Sequence, residues 1–230
     1  RLIRHELFNR VPLIGFAGSP WTLASYMVEG KSTRDFAISK SLLFDEPSIA
    51  RQLLSTLSKA ITLYLKSQIH AGAQVLMIFD TWGGVLSHAD YHHFSLEPME
   101  QIISDLKSDS STASVPVIVF TKGGGQWLQK ISVSGCDAVG CDWTMSLRHA
   151  RRLVQNQVAI QGNLDPAILR TSGERICAAV QNVIEDYGSG PGHIFNLGHG
   201  ITPDIDPDNV KILVDAVHDL SKSNEVENKD

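Results

Sequence analysis

Gln74–Gly84 reads QVLMIFDTWGG, and this stretch decides the fold. Five apolar residues in a row are too few for a helix of ordinary length. An unbroken apolar run also lacks the alternation of a half-exposed strand. It is what a parallel strand covered on both faces requires. The run ends in Asp80 and Thr81 and then in Trp82 with a glycine pair, so the chain turns polar and flexible where the strand stops.

Five other stretches repeat the pattern: Pro12–Ala17, Pro116–Thr121, Asp137–Asp142, Val158–Gly162 and His193–Leu197. Helical periodicity fills the gaps between them. Pro47 follows Asp45 and Glu46, then Ile49, Leu53, Leu54, Leu57, Ile61 and Leu65 recur at helical spacing, and Gly72 stands where a C-terminal cap belongs. Ser95 is placed to cap a helix burying Met99, Ile102, Ile103 and Leu106. Asp165–Pro166 and Asp206–Pro207 each set a capping carboxylate before a proline at the first helical position. The last helix then buries Val210, Leu213, Val214, Val217 and Leu220, and residues 223–230 form a polar tail.

Strand and helix in strict alternation give right-handed βαβ units and a parallel sheet. An open doubly wound sheet and a closed (β/α)8 barrel both satisfy that pattern. No GxGxxG follows the first strand, which weakens the dinucleotide-binding form of the open sheet. Leu2, Ile3 and Leu7 read as a helix already in progress behind an initial Arg1, and six strands are two short of a barrel. The expectation is a single α/β domain over residues 1–222, a (β/α)8 TIM-type barrel lacking its first βα units.

Composition narrows the function classes. With 43% hydrophobic and 20% charged residues the 230-residue chain can build a sizeable core. No apolar run is long enough to span a bilayer. A net charge of −5 without a Lys/Arg block speaks against nucleic acid as a partner. Cys136, Cys141 and Cys177 form no CxxC pair and read as small buried hydrophobes of a reducing compartment.

In a parallel barrel, catalytic groups project from the C-terminal strand ends. The segments there are Ser19–Tyr26, Asp80–Gly84, Lys122–Gly125, Asp142–Thr144, Asn163 and Gly198–Gly200, all polar or glycine-rich. Tyr26 is equally suited to rim packing and to lining a pocket for a large, partly apolar ligand. Thr81 and the backbone of Gly83–Gly84 suit a ligand carboxylate, although glycines there also simply permit a turn. Asp80 suits either a helix cap or an acceptor for a ligand N–H, the cap being the plainer reading. Lys122–Gly125 has the wrong order for a nucleotide-binding P-loop. His199, flanked by glycines at a strand end, reads as functional because imidazole titrates near neutrality. His88, His92 and His93 have the spacing HxxxHH but lack cysteine or carboxylate company, so they read as surface histidines and no metal is expected.

Taken together, GSPWTLASYMVEG (18–30), QVLMIFDTWGG (74–84), FTKGGGQW (120–127), GCDAVGCDW (135–143), VAIQGNLDP (158–166) and FNLGHGITPDIDPDNV (195–210) resemble, in order and spacing, the uroporphyrinogen decarboxylase family, above all its proteobacterial members. The resemblance covers essentially the whole chain. It implies a cofactor-free (β/α)8 barrel, usually a cytoplasmic homodimer. The family reaction converts the four acetates of uroporphyrinogen III to methyl groups, giving coproporphyrinogen III and four CO2 in tetrapyrrole biosynthesis. It implies substrate-binding roles for Tyr26, Thr81 and His199. The family's arginine-rich motif and catalytic aspartate have no counterpart from Arg1 onward, so the 230 residues by themselves are expected to be inactive. Two rivals are a zinc-dependent corrinoid or thiol methyltransferase of the same superfamily and a non-catalytic partner subunit. The first needs a His-x-Cys pair, whereas His199 is followed by Gly200 and Ile201.

Overall fold

The structure is a computed structural model describing residues 1–30, 33 and 35–227. Six strands alternate with helices from end to end. The chain divides into two compact units, Arg1–Val139 and Gly140–Asp230.

In the first unit, strands β1 (Ile14–Gly18), β2 (Val75–Asp80) and β3 (Val117–Thr121) pair in parallel in chain order. Every residue of β3 is buried, as are Leu76, Met77 and Ile78 of β2, which is why these strands are apolar up to their last residues, Thr121 and Asp80. The sequence at the end of β3 continues to Asp137, whose N–H donates to the Val117 carbonyl as β4 (Ala138–Gly140) begins. Each expected strand is present, with ends shifted by a residue or two.

Helix α1 (Leu2–Glu6) buries none of its residues. Ser19 caps α2 (Pro20–Glu29) by accepting from the Thr22 N–H, and Gly30 closes it in the left-handed conformation. A short α3 (Ala37–Asp45) precedes α4 (Pro47–Ala71), 25 residues long, which ends at Gly72 with φ +113° as its spacing requires. Ala50, Leu54, Ile61 and Leu65 form the buried stripe of α4, whereas Ile49 faces solvent. Gln68 of α4 does something the periodicity does not show. Its side-chain amide accepts from the Phe16 N–H and donates to the Phe16 carbonyl, each at 2.8 Å. It thus takes the place of a neighbouring strand's peptide beside β1. A Cβ on Gly15 would overlap the Gln68 Oε1, so the glycine there makes the pairing possible.

Past β2 come α5 (His88–Tyr91), a π-helical turn over His92–Leu96, and α6 (Glu97–Lys107) without a break. Met99, Ile102, Ile103 and Leu106 of α6 are fully buried, each worth about 1.5–3 kcal/mol by transfer from water. Ser95 does not cap this helix. It lies inside the π turn and is recruited by Asp80. A short α7 (Leu128–Ser132) leads to β4.

In the second unit, β5 (Ala159–Leu164) and β6 (His193–Leu197) pair in parallel, with α8 (Leu147–Val154), α9 (Gly173–Tyr187) and α10 (Pro207–Glu227) around them. Leu164, Leu169, Ile176, Val180, Ile205, Leu213 and Ala216 form its core. Asp165 caps a single 3-10 turn, Pro166–Arg170, rather than a long helix. The α10 backbone includes residues 223–227, and residues 228–230 lie outside the described ones. Cys136 and Cys141 are buried as expected, but Cys177 is exposed because it falls on the outer face of α9. Among the described residues no helix is long and apolar enough to cross a membrane.

Candidate functional site

At the C-terminal ends of β1, β2 and β3 the polar segments meet around Asp80, which is fully buried. Its Oδ1 accepts from Ser19 Oγ at 2.7 Å and Thr22 Oγ1 at 3.3 Å. Its Oδ2 accepts from Ser95 Oγ at 2.7 Å and Thr121 Oγ1 at 3.1 Å. Tyr91 Oη stands 2.8 Å from the same Thr121 hydroxyl. Burial raises the Asp80 carboxyl above its ordinary value, and the four hydroxyls partly restrain that rise. Asp80 is therefore neither a helix cap nor an exposed acceptor. It ties the rim segments after three strands to the π turn.

The glycines after Thr81 follow from that cluster. A Cβ on Gly83 would overlap Asp80 Oδ2 and lie 2.8 Å from Thr121 Cγ2, and a Cβ on Gly84 would overlap the Lys122 carbonyl. Neither glycine has a positive φ, so close approach, not turn geometry, requires them. Gly83→Ala is expected to destabilise the fold by about 1–3 kcal/mol, because both neighbours are buried and cannot yield. Chemical unfolding of the purified variant measures this.

Around the cluster lies an aromatic wall. Trp21 donates its indole N–H to the Trp82 carbonyl at 2.9 Å. The Trp82 ring packs on Phe36 with centroids 4.7 Å apart and meets Tyr26 edge-on at 6.3 Å. Lys122 Nζ stands 6.0 Å from the Trp82 ring centre. The Trp82 indole nitrogen is buried and finds no acceptor among the described residues. Tyr26 is 42% exposed, so its face is free to meet a ligand. Thr81, joined to Trp82, is half-buried. The first unit thus brings Tyr26 to the aromatic surface of Trp82.

His199 belongs to the second unit and is half-buried in the loop after β6. The preceding Gly198 donates its N–H to the Leu164 carbonyl at 2.7 Å, and a Cβ there would lie 2.7 Å from the Trp143 nitrogen. Only glycine lets this loop lie against the backbone of residues 142–143. Asn163 is buried and donates its amide to the carbonyls of Asp142, at 2.8 Å, and Met145. Beyond His199, Arg170 grips Asp204 through two nitrogens, at 2.7 and 3.2 Å, and donates to Thr202 Oγ1 at 2.6 Å. The Asp204 carboxyl is lowered to about 2 by hydrogen bonding to Arg170 and then to Thr202. The clamp ties Thr202 and Asp204, three and five residues after His199, to Arg170.

Residues 1–220 match the family model "Uroporphyrinogen decarboxylase (URO-D)". The chain belongs to the uroporphyrinogen decarboxylase family. It is 56% identical over 218 residues to the uroporphyrinogen decarboxylase of Thioalkalivibrio sulfidiphilus, covering 95% of this chain and 62% of that protein. It is 55% identical over 221 residues to that of Nitrosococcus oceani, covering 96% of this chain and again 62% of the relative. The chain therefore spans less than two thirds of the length of these curated relatives. Among solved structures it is similar to a methyltransferase from Methanosarcina mazei, with a TM-score of 0.80 at 20% identity, covering 96% of this chain and 62% of that one. At that identity the likeness speaks to the fold alone. Family and fold agree on an α/β architecture of the TIM-barrel type, as the order of strands and helices predicts.

Three features of this uroporphyrinogen decarboxylase family member escape a reading of the sequence. The Asp80 cluster draws on Ser19, Thr22, Ser95 and Thr121, which are scattered over a hundred residues and carry no spacing rule. Phe36 gives no sign that it stacks on Trp82. The Arg170 clamp joins Arg170 to Asp204 across 34 residues and leaves no local pattern to single out.

Proposed function

We propose that this chain serves the decarboxylation of uroporphyrinogen III to coproporphyrinogen III, with Tyr26, Thr81 and His199 contacting the substrate. One observation carries this reading: the family match runs over residues 1–220, at more than half identity to proteins named for that reaction. The chemistry asks for a wall and for anchors. Loss of CO2 from an acetate needs an electron sink, which protonation of the adjacent pyrrole carbon supplies as a cationic ring. Tyr26 and Trp82, whose rings meet edge-on, offer an apolar wall for such a macrocycle. The Thr81 hydroxyl and the buried Trp82 N–H offer hydrogen bonds to its carboxylates. His199, held by Gly198 and the Arg170 clamp, offers a further donor or acceptor.

The arginines and the aspartate that the resemblance makes catalytic are not among these 230 residues. The chain spans less than two thirds of the length of its relatives, so the reaction is assigned to the product of a coding sequence of their full length that includes this chain, acting without a cofactor as a cytoplasmic homodimer. The test is incubation of that product with uroporphyrinogen III under reducing conditions. Coproporphyrinogen III and four equivalents of CO2 are expected. Consumption of the substrate to any other product, or none, overturns the assignment. The 230-residue chain assayed alongside is expected to give no measurable turnover.

A further inference from the structure

The fold brings a carboxylate onto the histidine pair at 92–93. Glu97 lies four residues after His93 and five after His92. In an α-helix only the first of these spacings brings two side chains together. Here His92–Leu96 forms a π turn, closed by the Glu97 N–H donating to the His92 carbonyl. The wider turn places residue i+5 back beside residue i, so Glu97 reaches both imidazoles. Glu97 Oε1 lies 3.0 Å from His92 Nδ1 and 3.1 Å from His93 Nδ1. All three donor atoms lie within 4.8 Å of one another.

We propose that His92, His93 and Glu97 bind one divalent transition-metal ion of the zinc, cobalt or nickel class. Donors about 2.0–2.2 Å from a shared ion stand roughly 2.9–3.4 Å apart, between right-angled and tetrahedral arrangements. Both contacts to Glu97 fall in that range. The His93 contact has hydrogen-bond geometry, but His92 Nδ1, although buried, has no hydrogen-bond partner. His92 Nδ1 thus stands 3.0 Å from a carboxylate oxygen outside hydrogen-bond geometry, a placement that a cation bound between them satisfies. Glu100 lies close enough to interact with both His92 and Glu97 and adds negative charge. The side chains are 39%, 54% and 47% exposed, so an ion can enter from solvent and keep water as its remaining ligand. Imidazole with carboxylate suits ions of this class rather than calcium or magnesium. π turns inside α-helices are frequent at functional sites, which fits a geometry that only such a turn creates.

The test is titration of the untagged protein with zinc by calorimetry, and with cobalt by visible absorption. Binding near one ion per chain is expected, with a cobalt spectrum free of thiolate charge transfer. His93→Asn and Glu97→Gln, both on exposed side chains, are each expected to weaken binding by more than about tenfold while circular dichroism stays unchanged. Unchanged affinity in both variants, a thiolate band, or no binding at millimolar metal overturns the site.

Discussion

Asp80→Ala is expected to cost about 3–5 kcal/mol of folding stability, read as a lower urea midpoint. Ser19, Thr22, Ser95 and Thr121 all donate to this one buried carboxyl. Each buried hydroxyl left without its acceptor costs about 1–3 kcal/mol, and some re-pairing among the four reduces the sum. Asp80→Asn keeps the shape and one acceptor oxygen, so the smaller loss of about 1–2 kcal/mol is expected there. The pH dependence has a definite sign. Burial raises the folded-state value of Asp80 above the ordinary 3.8. Its contribution is therefore fully present below that ordinary value and declines as the pH rises toward the folded-state one. The stability difference between the native protein and the Asn variant should shrink across that window. A difference that grows with pH would mean that the carboxyl is held ionised instead, and would refute the burial argument.

His199→Ala, made in the product of the whole coding sequence, is expected to lower kcat/KM for uroporphyrinogen by about 10²-fold, the scale on which one preorganised polar group acts. Stability should change by no more than about 0.5 kcal/mol, since the side chain is half-buried at a loop. The expectation rests on how firmly the loop is held. Gly198 is fixed to Leu164 before the histidine, and Arg170 grips Thr202 and Asp204 after it. Such restraint on a short loop makes sense if one imidazole must be presented in one place. An unchanged kcat/KM would return His199 to a purely structural role.

The strands were legible because parallel strands covered on both faces leave a signal that needs no partner: Val75–Phe79 and Val117–Phe120 are apolar throughout. Pro47 and Gly72 announced the ends of α4 for the same local reason. What failed to show depends on contacts between distant segments. Ser95 has the chemistry of a cap, and the sequence holds no sign that Asp80 takes it instead. The π turn at His92–Leu96 is likewise silent, because a one-residue widening leaves composition and periodicity almost unchanged. It was this turn that brought Glu97 to His92. Tyr26 and Thr81 in the first unit and His199 in the second could be named from strand ends and resemblance. Their supports, Phe36, Gly198 and Arg170, could not.

The Gln68 amide that pairs with Phe16 behaves as a latch. Where a side chain already satisfies the peptide of an outermost strand, a stray extended chain meets no open donor and acceptor there, which discourages aggregation through that edge. The glycine beneath it, Gly15, leaves the room that the amide occupies.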